Sequence, residues 1–106
     1  GVIYDPQNMV KDGFETIPIA VELLGDYLAH IHAGGHKPVP NEPDEKGIVK
    51  WSWKGCPMSE GLYDFSKMVE SLRKAGYAGF ISIEDFRGDC SPEKRLEEGI
   101  TFLRSL

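Results

Sequence analysis

Three short runs of β-branched, aromatic and other apolar residues recur along the chain. They are Val2–Tyr4, Tyr27–His32 and Gly79–Glu84, and runs of this length between turn residues predict β-strands. A segment with apolar residues at helical spacing follows each run. Strands that alternate with helices favour parallel pairing and right-handed crossovers. The predicted fold class is therefore α/β, built from three consecutive parallel βα units in the order βαβαβα.

The helical segments carry recognisable start and stop signals. Residues Thr16–Leu24 predict the first helix, which ends at Gly25. Asp64 is a good N-cap for the second helix, and Gly76 is suited to end it. Ser91 suits the N-cap of the third helix, and Pro92 after it suits the first helical position. We expect a polar loop, without a helix, between the first strand and residue 13.

The second unit contains a long connection. Residues 33–63 hold both tryptophans of the chain and four of its seven prolines. This composition predicts a long loop. Loops of this length inside a compact domain are usually functional lids or disordered segments.

The overall composition restricts the class of protein. A chain of 106 residues is sufficient for one domain, and its net charge of −5 disfavours binding to the phosphates of nucleic acids. No apolar run approaches the roughly 20 residues that span a membrane, and no signal-peptide pattern occurs at the start. The two cysteines lie far apart with no metal-binding spacing, which favours reduced thiols in the cytoplasm. Because the chain opens directly in an apolar strand without Met, we expect a piece of a longer protein.

A side chain able to bind metal stands at the end of each predicted strand. These residues are Asp5, His32 and Glu84. Alternate residues of a strand share a face, and parallel α/β proteins carry their chemistry at the carboxyl ends of strands. Two carboxylates and an imidazole suit one divalent ion, namely Mn²⁺, Mg²⁺, Co²⁺ or Zn²⁺. The alternative is that each is only a loop-edge cap or a hydrogen-bonded polar group.

Three segments resemble a known family. Asp5-Pro-Gln-Asn8, Tyr27–His32 and Gly76–Glu84 resemble the last three strands of the xylose isomerase-like TIM barrels. Ser59–Phe65 is similar to the Gly-Glu-Gly-x-x-Asp-Phe/Trp turn of that family, with Ser in place of the first Gly. The superfamily includes sugar-phosphate isomerases, ketose 3-epimerases, inosose dehydratases and the endonuclease IV group. The resemblance implies that residues 1–106 form the C-terminal part of a (β/α)8 barrel.

The resemblance also implies roles for the strand-end residues. Asp5, His32 and Glu84 correspond to metal ligands of strands six, seven and eight, and a further Glu ligand from strand five would precede Gly1. In the epimerase-like members, Glu84 and that missing Glu would exchange a proton at a sugar carbon. Glu84 is thus the expected catalytic acid or base.

The candidate substrate-binding residues are Asn8, His36, Lys37 and Trp53. Asn8 stands where the epimerases often have His, and Pro38 stands where they often have Arg. His36 and Lys37 adjoin Pro38, so either could bind a substrate oxygen or phosphate, although an exposed loop pair is the alternative. Trp53 suits sugar stacking, or else anchors the long loop.

Two further expectations concern neighbouring residues. His30 faces the same side as His32 and is expected to be a packed, hydrogen-bonded group rather than a ligand. Asp85 and Arg87 are expected to form an ion pair on the surface.

The function implied by the resemblance is a divalent-metal-dependent isomerase or epimerase of a sugar or sugar phosphate. We expect activity in the full-length protein and not in this chain alone. The alternative is a non-catalytic, self-associating barrel part, since a cut barrel exposes a sheet edge and apolar surface and favours homo-oligomers. An AP endonuclease is disfavoured by Asn8 and by the lack of Asp-x-His between His32 and Glu84. A flavodoxin-type domain is disfavoured because no Gly-rich phosphate loop follows a predicted strand. The sugar, the metal and the type of reaction stay open.

Overall fold

The computed structural model describes residues 1–13 and 15–106. Within that part of the chain the elements run β1 Val2–Tyr4, α1 Pro6–Asp12, α2 Ile17–Leu24, β2 Leu28–Ala33, β3 Gly35–Pro40, β4 Trp51–Cys56, α3 Phe65–Lys74, β5 Phe80–Ile83 and α4 Pro92–Arg104. Single 3-10 turns lie at Gly25–Tyr27 and Met58–Glu60. No helix in the described residues is long and apolar enough to cross a membrane.

The three strands expected from the apolar runs pair in parallel, in the spatial order β1-β2-β5. The middle strand, β2, aligns His32 with Ser82 and Ala33 with Ile83. The ladder continues one residue beyond β5, where the Glu84 N–H donates to the Ala33 carbonyl at 2.9 Å. The carboxyl ends of all three strands therefore lie at one edge of the sheet.

The two faces of this sheet differ in exposure. One face packs on the helices, and its core includes Tyr4, Ile31 and Ala33 from the strands with Phe65, Met68 and Leu72 from α3. Ile31, Phe65 and Met68 are fully buried, and each such side chain contributes about 1.5–3 kcal/mol relative to an exposed one. On the other face Ile3 is 54% exposed and Phe80 is 81% exposed.

The helices after the second and third parallel strands begin at the predicted caps. The Asp64 carboxylate accepts from the Lys67 N–H at 2.9 Å, and the Ser91 hydroxyl accepts from the Lys94 N–H at 3.3 Å. Gly76 has φ +68°, a left-handed conformation that glycine adopts without steric cost.

The expected loop between β1 and residue 13 is wrong, because α1 occupies Pro6–Asp12. Asp5 caps this helix by accepting from the Gln7 N–H at 2.9 Å, and Pro6 stands at the first helical position. The strict βαβαβα order is therefore not what the chain has, since the first crossover contains two helices.

The expected long loop over 33–63 is also wrong as a description of that connection. Ala33 still belongs to β2, and β3 and β4 pair as an antiparallel hairpin from Gly35↔Cys56 to Pro40↔Trp51. Pro38 and Pro40 are tolerated because prolines two apart on an edge strand can keep the nitrogens that lack a hydrogen on its open side. Only the tip over 41–50 is free of strand structure in the hairpin.

Candidate metal centre

Asp5, His32 and Glu84 converge at the carboxyl edge of the parallel sheet. One ligand atom from each lies within 4.8 Å of the other two, and all three residues are partly buried. His32 Nδ1 is 3.3 Å from Glu84 Oε2. Convergence follows from the topology, because Asp5 follows β1, His32 lies near the end of β2 and Glu84 follows β5. The structure thus brings the three predicted ligands together.

The electrostatics of this cluster suit a cation. Among the described residues, no Lys or Arg side chain pairs with Asp5 or Glu84. Carboxylates held close together repel each other unless a proton or a cation is shared between them. Oxygen and imidazole donors are ligands that Mn²⁺, Co²⁺ and Zn²⁺ accept, and the oxygens also suit Mg²⁺. The donor set therefore fits one divalent metal.

The Asp5 carboxylate is oriented by the first turn of α1. Its Oδ1 accepts from the Gln7 N–H at 2.9 Å, and its Oδ2 accepts from Asn8 Nδ2 at 2.7 Å. Each oxygen keeps a second lone pair, so these bonds leave room for a metal ion. Asn8, predicted to bind substrate, thus contacts a predicted ligand, and its substrate role stays a prediction.

His30 lies two residues before His32 on β2, on the same face of the strand. Its Nε2 lies 2.8 Å from Ser82 Oγ, and its ring meets the His32 ring edge-on at a centroid distance of 5.5 Å. Ser82 is also the residue opposite His32 in the ladder. His30 is therefore the packed, hydrogen-bonded group that its position in the strand predicts.

A cavity of about 390 Å³ adjoins Glu84. Its walls come from the β3–β4 hairpin and from the loop after β5, and they comprise Gly35, His36, Trp53, Lys54, Gly55, Glu84, Asp85, Phe86, Arg87, Gly88 and Asp89. Small-molecule sites have volumes of about 300–1,000 Å³. The cavity is therefore large enough for a small ligand next to the predicted catalytic residue.

Two of the predicted substrate-binding residues line this cavity and a third does not. His36 and Trp53 are part of its wall, whereas Lys37 is outside its lining. The Lys37 ammonium is instead 2.8 Å from the Glu60 carboxylate. The first two are placed where a substrate could reach them.

The imidazole of His36 is neutral around pH 7. Burial lowers its pKa from 6.5, Lys11 lowers it further, and the charges of Asp5 and Asp85 only partly oppose this. Its Nδ1 is buried and has no hydrogen-bond partner among the described residues. The ring therefore offers a neutral hydrogen-bonding group beside the cavity.

Arg87 braces the loop that carries the far wall of the cavity. Its side chain is only 6% exposed, and its guanidinium is 2.9 Å from the carboxylates of both Asp85 and Glu98. Arg95 Nη1 donates to the carbonyl oxygens of Asp85 and Arg87. The expected pair of Asp85 with Arg87 is present, but its expected surface position is wrong because Arg87 is buried.

Sequence reasoning missed two contributors to this region, Gln7 and Glu98. Gln7 Nε2 is 2.8 Å from the backbone oxygen of Glu84, which is 77 residues away. Glu98 lies on a helix face whose charge run predicts only a solvated surface. Periodicity carries no signal for either contact, since both depend on how distant segments pack.

Comparison with known proteins agrees with this geometry. A family model for the xylose isomerase-like TIM barrel matches residues 1–106, the whole chain. Neither the curated proteins nor the solved structures contain a significant match. In such barrels the chemistry is carried at the carboxyl ends of the parallel strands, as are the three donors here. The chain belongs to the xylose isomerase-like TIM barrel family.

Proposed function

We propose that this chain is the part of a divalent-metal-dependent sugar or sugar-phosphate isomerase or epimerase that carries three metal ligands. The observation that supports the proposal most is the convergence of Asp5, His32 and Glu84 at the carboxyl ends of three parallel strands. Family membership supports the same reaction class. Activity is proposed for the complete barrel, to which other strands would add the remaining ligand.

The proposed chemistry is proton removal from the carbon beside a sugar carbonyl. A bound divalent ion supplies Lewis acidity toward the carbonyl oxygen, which makes the neighbouring C–H more acidic. Asp5, His32 and Glu84 would hold the ion, and Asn8 keeps the Asp5 carboxylate oriented. Glu84 takes and returns the proton, because it combines a place in the cluster with a place in the cavity wall.

Metal binding is tested on the native gene product that contains this chain. The variant Asp5→Ala/Glu84→Ala is compared with Asp26→Ala/Glu97→Ala, which removes two exposed acids elsewhere. We expect about one Mn²⁺, Co²⁺ or Zn²⁺ per chain in the wild type and in the control, and none in the site variant. Equal metal content in the two variants, or none in the wild type after metal supplementation, would contradict the site.

Proton removal is tested without knowing the product. Free sugars and sugar phosphates are incubated with the metal-loaded enzyme in D₂O, and exchange at the carbon next to the carbonyl is followed by NMR. We expect exchange with at least one sugar and its loss in Glu84→Gln, with no loss in Glu97→Gln on the exposed face of α4. Exchange that survives in Glu84→Gln would refute the assigned role of Glu84.

A second candidate function, self-association of a non-catalytic barrel part, is supported by the open face of the sheet. Ile3 and Phe80 on that face are largely exposed, and β1 and β5 are both edge strands. Apolar surface and unpaired strand edges favour pairing with another chain. The test is light scattering of the 106-residue chain beside Ile3→Lys/Phe80→Lys. Oligomers that the variant loses support this candidate, and a monomer at high concentration rejects it.

A cytoplasmic location is part of the proposal. Both cysteines are free thiols, with Cys56 buried and Cys90 partly buried. Thiols persist in reducing compartments, where disulfides are rare.

A further inference from the structure

The side chain of Gln7 spans the carboxyl edge of the sheet. Gln7 lies in the first turn of α1 and is only 7% exposed. Its Nε2 donates to the backbone oxygen of Glu84 at 2.8 Å. Because α1 follows β1 and Glu84 follows β5, this bond joins the two outer strands of the sheet beyond the end of β2.

Gly34 leaves the space through which the Gln7 side chain passes. A Cβ at this position would overlap both Gln7 Nε2 and the Glu84 carbonyl oxygen. Gly34 directly follows the last residue of β2, Ala33, and is itself buried. The absence of a side chain at the end of the central strand is therefore a condition for the contact between the two outer strands.

The peptide groups around Glu84 are held from two sides. The Glu84 N–H donates to the Ala33 carbonyl at 2.9 Å, and its carbonyl accepts from Gln7. Gln7 in turn donates its own N–H to the Asp5 carboxylate at 2.9 Å. One residue thus contacts the side chain of one proposed ligand and the backbone of another.

We propose that Gln7 is a positioning residue, which sets the separation of Asp5 and Glu84 and so tunes the affinity of the metal site. The inference rests on the proposed function, since it assigns Gln7 a role toward that metal. Groups that orient metal ligands typically change metal affinity about 10–100-fold when they are removed. A purely structural bond would instead lower stability and leave the affinity of the folded protein unchanged.

The test compares Gln7→Met with wild type in the native gene product. Methionine keeps the length and approximate volume of glutamine but has no N–H to donate. The matched control is Ser71→Ala in α3, which removes a buried hydroxyl that also donates to a backbone carbonyl, that of Lys67 at 2.8 Å. Mn²⁺ affinity is measured by calorimetry, and the melting temperature is measured without metal.

We expect Gln7→Met to bind Mn²⁺ about tenfold more weakly or worse, and Ser71→Ala to bind as wild type does, with both variants less stable. Should Gln7→Met fail to fold, Gln7→Asn serves, because it keeps the amide but is one methylene too short to reach Glu84. Wild-type affinity in the Gln7 variant that folds overturns the inference alone. A wild-type protein that binds no metal overturns the proposed function and the inference with it.

Discussion

Tyr63 donates its hydroxyl to the hydroxyl of Tyr4 in the core, with the two oxygens 2.9 Å apart. Both side chains are buried. Each tyrosine directly precedes an aspartate that caps a helix, Asp5 for α1 and Asp64 for α3. The hydroxyl pair therefore joins the end of β1 to the start of α3, immediately behind a proposed metal ligand.

Removing one hydroxyl should lower the free energy of unfolding by more than the net contribution of the hydrogen bond itself. Tyr63→Phe leaves the Tyr4 hydroxyl buried without its donor, so we expect a loss of about 1–3 kcal/mol in the free energy of unfolding. The double variant Tyr4→Phe/Tyr63→Phe should lose less than the sum of the two single losses. Urea unfolding measures these values. Tyr27→Phe, at an exposed tyrosine, is the control, and additive losses would argue against coupling.

The same pair predicts a loss of stability at alkaline pH. Burial is the largest cause that raises the pKa of both tyrosines above 10. Above about pH 10 the unfolded chain loses these protons while the folded chain keeps them. The free energy of unfolding should therefore be unaffected by this pair below pH 10 and should fall as the pH rises above it. The double Phe variant should show a shallower fall, and an identical slope would contradict the assignment.

Arg87 is predicted to be the cation on which the loop after β5 most depends. Arg87→Met leaves the carboxylates of Asp85 and Glu98 without their partner, and breaking such a buried pair costs about 3 kcal/mol. Lys74→Met, which breaks the exposed pair with Glu70, should change stability much less, because water screens the attraction between exposed charges. Chemical denaturation of both variants at pH 7 is the measurement. Equal effects would show that the burial of Arg87 adds nothing.

The acid dependence of stability should change in the Arg87 variant. Burial alone would raise the pKa of Asp85, but hydrogen bonds from Arg87 and its charge bring it below 3.8. This contribution is present above about pH 3.8 and is lost as the pH falls through the lower folded value. In Arg87→Met the side-chain hydrogen bonds and the charge of Arg87 are lost, while the backbone N–H of residue 87 and the charge of Arg95 remain, so the stabilising contribution of Asp85 should shrink. Unfolding measured between pH 3 and 6 checks this, and parallel curves would refute it.

The two tryptophans of the hairpin should differ in their effect on ligand binding. Trp53 lines the cavity beside Glu84, whereas Trp51, two residues earlier on β4, is outside its lining. An aromatic wall suits the apolar face of a sugar ring, so Trp53→Ala should weaken sugar binding about two- to tenfold, in line with typical aromatic contacts of about 0.5–1.5 kcal/mol. Trp51→Ala is the matched control and should bind as wild type does. Calorimetry with the metal-loaded native protein is the measurement, and equal affinities in both variants would reject the cavity as the sugar site.

The parallel strands and the later helices were predictable because their signals are local. Ser91 before a proline and Asp64 before an amphipathic segment mark helix starts wherever the segment packs. Asp5 before Pro6 carries the same signal, yet α1 was missed. Its seven residues are marginal as an isolated helix, and it is held by contacts such as Gln7 to Glu84 that no local pattern reveals.

The hairpin and the cavity wall could not be predicted from local sequence signals, and the reasons differ. Pro38 and Pro40 argue against a strand unless the open edge of the hairpin is known in advance. Burial of Arg87 depends on α4 returning Glu98 to the loop after β5. The ligand triad could be predicted in part. Strand parity and the family resemblance identify its three members, but the distances between them follow only from the paired sheet.

The spacing of the ligands along the chain has a consequence for biosynthesis. Asp5, His32 and Glu84 come together through the pairing of β1, β2 and β5, and Glu84, the last of the three along the chain, leaves the ribosome after the other two. Non-local pairing of this kind slows folding, because distant segments must lose conformational entropy in coming together before their contacts contribute any stabilising free energy. A nascent chain that has emerged only as far as α3 therefore presents two of these three donors. An ion that needs all three donors can therefore bind only after β5 has docked, and it would then stabilise a sheet that has already formed.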